Sequence, residues 1–288
     1  MTLLPSIWAC IPLFPSESKH GHGPSFSAVQ KHAIFITKIE AHVNSSKRIR
    51  ELLVCPNLTS LNIGYFRDKS HSWRNFILRH RHTLTFLITS QQTSTKRMDS
   101  IIKCSNLEQL SLHRPQLEGH GQWLDLYERL WSRVKTLFLS GWWHPRKATN
   151  GFVHASQEAL ALVAERTRPA KIEDLCIGGI ESDPAVLQAH IWVIRQCPSL
   201  THLEWAPRDH EFENGSMYLL AKEIQSGYRW EKLKVLRLPS MEFRPEDFAA
   251  VVEAIPRGLT ELDWIRMKSI SIKNVGRVCN RFLDICRH

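Results

Sequence analysis

The chain has 288 residues, 43% of them apolar and 23% charged, with 38 Lys+Arg against 28 Asp+Glu. That apolar share is ample for a continuous core and excludes a disordered chain, while the length allows one or two domains. No stretch approaches the roughly 20 uninterrupted apolar residues of a membrane helix, so no membrane association is expected.

Residues 1–14 are apolar but lack a basic start and contain Pro5 and Pro12, so they do not read as a secretory signal. Ser16 to Ser27, with Gly21, Gly23 and Pro24, reads as a linker. Ile36 to His42 is a preliminary strand, and from there one pattern recurs. Leu58-Thr59-Ser60-Leu61-Asn62-Ile63 has apolar residues at its first, fourth and sixth positions. The same spacing returns at Leu84 to Thr89, Leu107 to Leu112, Val134 to Leu139, Ile172 to Ile177, Leu200 to Trp205, Leu233 to Leu238 and Leu259 to Trp264. An extended segment sends alternate side chains to opposite sides. Each copy therefore has an apolar inner side and a polar outer one, carrying Asn62, Gln109, Asp174, Glu204 and Asp263.

Helical stripes separate these rungs. Trp73, Phe76, Ile77 and His80 share one face before Leu84, and Leu124, Tyr127 and Trp131 recur at helical spacing before Val134. Ser156 can cap a helix carrying Ala159, Leu160 and Val163. Asp183-Pro184 starts another, with Leu187, Ile191 and Ile194 on one stripe, and Met217, Leu220 and Ile224 form the next. Pro245-Glu246-Asp247 opens a helix bearing Phe248, Val251, Val252 and Ile255. Asn274 can cap a last one with Val275, Val278, Phe282 and Ile285. These stripes are core.

The rung starts lie 26, 23, 27, 38, 28, 33 and 26 residues apart. A strand, a return helix and two turns need about 20–29 residues, so the longer intervals carry extra loop. Buried parallel strands of an ordinary α/β sheet read as continuous apolar runs, which these rungs are not. A solenoid of repeats is expected.

The units Cys55-Pro56-Asn57-Leu58, Cys104-Ser105-Asn106-Leu107 and Cys197-Pro198-Ser199-Leu200, each leading into its rung, resemble the ribonuclease-inhibitor-like leucine-rich repeats of F-box proteins, particularly the fungal families. The resemblance covers residues 30–288 and rests on pattern rather than on a diagnostic motif. It implies an α/β, right-handed solenoid of irregular repeats, with parallel strands on the concave face and helices on the convex face. Residues 1–28, with Trp8, are comparable to the region following an F-box, and 29–288 form the solenoid, ending inside a repeat. The implied role is substrate recognition in an F-box-type ubiquitin ligase, with a Skp-type adaptor as partner only where an F-box precedes Met1. The usual repeat places Asn or Cys three residues after the last rung position. Phe66, Pro115, Trp142, Ile180, Arg208, Met241 and Met267 stand there instead, so the usual asparagine ladder is absent.

The seven cysteines include no Cys-x-x-Cys, so zinc and thiol redox motifs have no footing. Cys55, Cys104 and Cys197 share one position at a helix end and read as small buried hydrophobes. A reducing compartment, cytoplasmic or nuclear, fits such usage. No Gly-x-Ser-x-Gly, His-Glu-x-x-His or Gly-x-x-x-x-Gly-Lys is present, so neither enzymatic activity nor a cofactor is expected.

The expected function is protein binding through the outward rung side chains and one rim. The candidate residues are Gln109, Ser111, Thr136, Phe138, Trp143, Asp174, His202, Glu204, Arg237, Glu261 and Asp263. Trp143 belongs to the surplus loop that begins Gly141-Trp142-Trp143-His144-Pro145. Phe138 and Trp143 would anchor the partner, and Asp174, Glu204, Glu261 and Asp263 would favour a basic segment in it. The alternative is a nucleic-acid-associated protein. Residues 1–150 hold 20 Lys+Arg against 9 Asp+Glu, clustered at Lys47-Arg48-Arg50, Arg79-His80-Arg81-His82 and Lys96-Arg97. Those clusters fall on helices and loops, and the outward rung positions offer one arginine, too few to track a phosphate backbone.

Overall fold

Three apolar side chains per rung must leave water together, and fully burying one contributes about 1.5–3 kcal/mol. The computed structural model describes residues 10–13, 26–41, 53–64, 72–93, 95–115, 130, 132–140, 170–181, 191, 193–208, 216–238, 245–256 and 258–263. The chain divides into two compact units, Met1–Glu118 and Gly119–His288. Both are α/β, and within each the described strands are parallel and arranged in chain order.

In the first unit the strands are β1 (Cys10–Leu13), β2 (Lys38–Ala41), β3 (Ser60–Ile63), β4 (Phe86–Thr93) and β5 (Gln109–Pro115). Pairing runs in that order, with Lys38 opposite Ser60, Ser60 opposite Phe86, and Phe86 opposite Gln109. Strand β1 pairs with β2 through Cys10 opposite Lys38, so the sheet includes residues the pattern left in the N-terminal segment. Helix α1 (Phe26–Lys31) and a 3-10 turn (Ala33–Phe35) lead into β2. Helix α2 (Ser72–Arg79) leads into β4, and α3 (Thr95–Ile102) into β5.

The second unit holds β6 (Thr136–Ser140), β7 (Asp174–Glu181), β8 (His202–Arg208), β9 (Val235–Arg237) and β10 (Glu261–Asp263). Thr136, Asp174, His202, Val235 and Glu261 form one row across them. Helix α4 (Ser216–Gln225) precedes β9, and α5 (Pro245–Ala254) precedes β10. Two residues after α4 comes Gly227, whose φ of 105° favours glycine. Proline is the first residue of α5, where its missing N–H has no intrahelical partner to lose.

The inner rung positions are core. Leu58, Leu61, Ile63, Leu84, Leu87 and Leu107 are fully buried, as are Leu175, Ile177, Trp205 and Leu236. Thr89 takes the last slot of its rung and is buried too. Leu259 is only half-buried. The helical stripes are buried as expected at Trp73, Phe76, Ile77, Ile191, Ile194, Leu220, Ile224, Val251 and Val252. The helices expected around 124–131, 156–163 and 274–285 lie outside the described residues except at Leu130, as do Trp142 and the first turn at Asp183.

The turns are tied together at the second rung position. In the first unit the carbonyls of Thr37, Thr59 and Thr85 each accept two consecutive backbone N–H groups from the next turn. In the second unit Lys135, Glu173, Thr201 and Lys234 do the same. Where that position is threonine, its hydroxyl adds a bond to the preceding carbonyl. Thr59 donates to Thr37 O at 3.2 Å, Thr85 to Thr59 O at 3.3 Å, Thr201 to Glu173 O at 2.9 Å and Thr260 to Lys234 O at 3.1 Å. Asparagine also contributes, but ahead of the rung. Asn57 Nδ2 donates to Ile34 O at 2.8 Å and Asn106 Nδ2 to His82 O at 2.6 Å. These bonds satisfy carbonyls where strand pairing begins.

Candidate functional site

Because positions four and six of a rung point inward, positions three and five point outward. On the second unit this gives two rows across neighbouring strands. The first row is Thr136, Asp174, His202, Val235 and Glu261; the second is Phe138, Cys176, Glu204 and Arg237. His202, Arg237 and Glu261 are exposed, and Thr136, Asp174, Cys176, Glu204 and Val235 half-buried. Phe138 is 39% exposed, unusual for a large apolar side chain. Seven of the residues singled out from the sequence are thus brought together on one sheet face. Asp263 is placed beside Arg237 by register, and Trp143 lies outside the described residues.

The carboxylates on this face are not a bare acidic strip. Arg237 Nε donates to Glu261 Oε1 at 2.8 Å, and its Nη2 lies 2.7 Å from the same oxygen. Its Nη1 lies 3.8 Å from Glu204 Oε2. The guanidinium therefore bridges carboxylates of the strands on either side of its own. Asp174 stands on β7, the far side of β8 from that bridge.

Cys176 sits in the same row and was passed over in reading the sequence. Burial pushes its thiol up to about 12, helped by the charge of Glu204, a hydrogen bond to that carboxylate and the charge of Asp174, while Arg237 opposes them. The protonated thiol donates a hydrogen bond to Glu204. His202 is held by its neighbour. The Thr201 hydroxyl donates to Glu173 O, so the 2.8 Å contact with His202 Nδ1 has the ring N–H donating to Thr201 Oγ1.

The first unit presents Lys38 and Glu40 on β2, Ser60 and Asn62 on β3, Phe86 and Ile88 on β4, and Gln109 and Ser111 on β5. Gln109 is exposed and Ser111 half-buried. Lys38 Nζ lies 2.6 Å from Glu40, so their charges cancel on one strand. Phe86 and Ile88 occupy outward positions three and five and are half-buried, and the same counting that located Gln109 and Ser111 would have found them.

The basic run 79–82 has a structural use. Arg79 Nη1 donates to Leu53 O at 2.8 Å, and His80 Nε2 accepts the Cys55 N–H at 3.0 Å. Arg81 Nε donates to His82 Nε2 at 2.9 Å, and His82 Nδ1 faces Ser105 Oγ at 3.3 Å. Each of these bonds but the Arg81–His82 one crosses to a neighbouring turn. His80 is 3% exposed, so it belongs to the core and not to a solvated basic surface.

Among the described residues no group of three His, Cys, Asp or Glu side chains is placed to hold a metal ion, and no helix is long and apolar enough to cross a membrane. No protein-family model matches the chain, and no curated protein matches it.

Proposed function

We propose that this protein is a right-handed solenoid of irregular leucine-rich repeats that binds another protein through its strand face. The observation that carries the reading is the register itself: Phe138, Cys176, Glu204 and Arg237 stand side by side on four adjacent strands, held by a core that fixes each backbone. Rigid strands presenting mixed aromatic and charged groups hold contact residues at little entropic cost. The resemblance to F-box leucine-rich-repeat proteins adds the role of substrate recognition in a cullin-type ubiquitin ligase, in the cytoplasm or nucleus. The nucleic-acid reading is weaker, because Arg79 and His80 are engaged with Leu53 and Cys55.

The test is affinity capture with the full chain, followed by cross-linking to locate the contact. Cross-links from partners to the outward strand positions support the reading. Cross-links confined to the helices would sink it. Co-capture of a cullin and a Skp-type adaptor supports the ligase role, and a partner captured without them removes that role alone.

A further inference from the structure

We infer that the outward face of the second unit recognises an extended basic segment carrying one apolar residue, spaced apolar-x-basic-x-x-x-basic. The inference rests on the protein-binding reading above and names the chemistry of the partner.

Charge is the first argument. The positive excess of the chain lies in residues 1–150, and among the described outward positions of the second unit Asp174, Glu204 and Glu261 stand against one guanidinium, Arg237. A face with such an excess of carboxylates is complementary to cations. Arg237 already spans Glu204 and Glu261 at 3.8 and 2.7 Å, so this arrangement of strands holds a guanidinium between carboxylates. A partner cation at β10 competes with Arg237 for Glu261, whereas one between β7 and β8 meets Asp174 together with Glu204, whose carboxylate Arg237 reaches only at 3.8 Å.

Spacing follows from strand geometry. Neighbouring strands lie about 4.8 Å apart and an extended chain advances about 3.3 Å per residue. A segment laid across the strands with its apolar residue on Phe138 of β6 reaches the gap between β7 and β8 two residues later, about 7 Å on. Six residues later, about 20 Å on, it stands over β10 and Glu261. Basic side chains at those two places meet Asp174 with Glu204, and then Glu261.

The experiment is fluorescence anisotropy with a labelled nine-residue peptide, Ser-Leu-Ser-Lys-Ser-Ser-Ser-Lys-Ser, against the folded full chain. Its controls are the peptide with Glu for both Lys and a peptide with the two Lys adjacent. The lysine peptide is expected to bind, more tightly at low salt, and to exceed both controls. Asp174→Asn and Glu204→Gln should each weaken it about two- to fivefold, the range of exposed ion pairs. Arg237→Gln should tighten it, because the competitor is gone; a merely structural arginine would give no gain. Equal binding of the glutamate peptide, no binding of any peptide to the folded chain, or weakening by Arg237→Gln overturns the proposal. So does displacement of the peptide by a single-stranded oligonucleotide, or occlusion of the face by a second copy of the chain. A cellular partner cross-linked to the strand face but indifferent to Asp174→Asn and Glu204→Gln leaves the protein-binding reading intact and removes only this inference.

Discussion

His80 Nε2 accepts the backbone N–H of Cys55 at 3.0 Å, and its Nδ1–H donates to Phe76 O at 2.9 Å. With one nitrogen accepting and the other donating, the ring is neutral and its tautomer is fixed. Burial pushes its pKa below the ordinary 6.5, the bond to Phe76 pulls it partly back, and the charge of Arg79 adds to the fall. Protonation would put a donor where Cys55 needs an acceptor.

Stability should therefore depend on His80 in acid. The unfolded ring takes up its proton near pH 6.5, before the folded one does. The contribution of neutral His80 is complete above that pH and is lost as pH falls through the depressed folded value. Denaturant melts at pH 8 and pH 5 check this against His80→Leu. The variant should lose about 1–3 kcal/mol at pH 8, the cost of an unsatisfied buried N–H. The gap between wild type and variant should narrow at pH 5, and a gap that widened there would contradict the neutral ring.

The rung register makes a second prediction. Leu203 is 1% exposed, in register with Leu175 and Leu236. Leu203→Ala should cost about 2–5 kcal/mol. Its neighbour Glu204 faces outward, so Glu204→Ala should cost less than about 0.5 kcal/mol. Equilibrium urea unfolding that ranked the two in reverse would show the strand turned over.

What the sequence revealed and what it concealed divide along physical lines. Inner rung positions such as Leu61, Leu87 and Leu203 were legible because period-two burial writes itself into a single strand. The threonine ties were not, because Thr59, Thr85, Thr201 and Thr260 bond between turns, and no periodicity within one rung reports that. His80 presents two faces to a reader: its helical phase points it inward, while its neighbours Arg79 and Arg81 suggest solvent. Burial decided for the core. Likewise Asp174, Glu204, Glu261 and Asp263 read as one acidic strip until strand register placed Arg237 between Glu204 and Glu261. Cys176 was overlooked because cysteines were compared by their place at helix ends, and it lies on a strand.

The threonine tie can be measured directly. Thr201→Val keeps the shape but removes the 2.9 Å bond to Glu173 O and the acceptor of His202 Nδ1. A cost of about 0.5–1.5 kcal/mol is expected. Thr136→Val, on the outward row, should stay within about 0.5 kcal/mol. Chemical denaturation of both variants tests the difference, and equal midpoints would mean that the hydroxyl adds nothing to the backbone ladder.

The thiols give the last prediction. Cys55, Cys104 and Cys197 are buried, and the thiols of the latter two face the carbonyls of Ser100 and Val193. Burial pushes Cys55 up to about 12 and Cys197 higher still, so neither supplies thiolate near pH 8.5. Site-resolved alkylation should leave all three unmodified until the chain unfolds. Cys176 is different, being half-buried and raised partly by charges that can be changed. Glu204→Gln removes the neighbouring charge and should speed its alkylation, since each unit of fall in pKa raises the thiolate fraction about tenfold. Arg237→Gln removes the one opposing charge and should slow it. Both variants are read by mass spectrometry of the Cys176 peptide at fixed pH. If the two substitutions moved the rate in the same direction, access and not electrostatics would control this thiol, and the charge arrangement drawn for the face would be wrong.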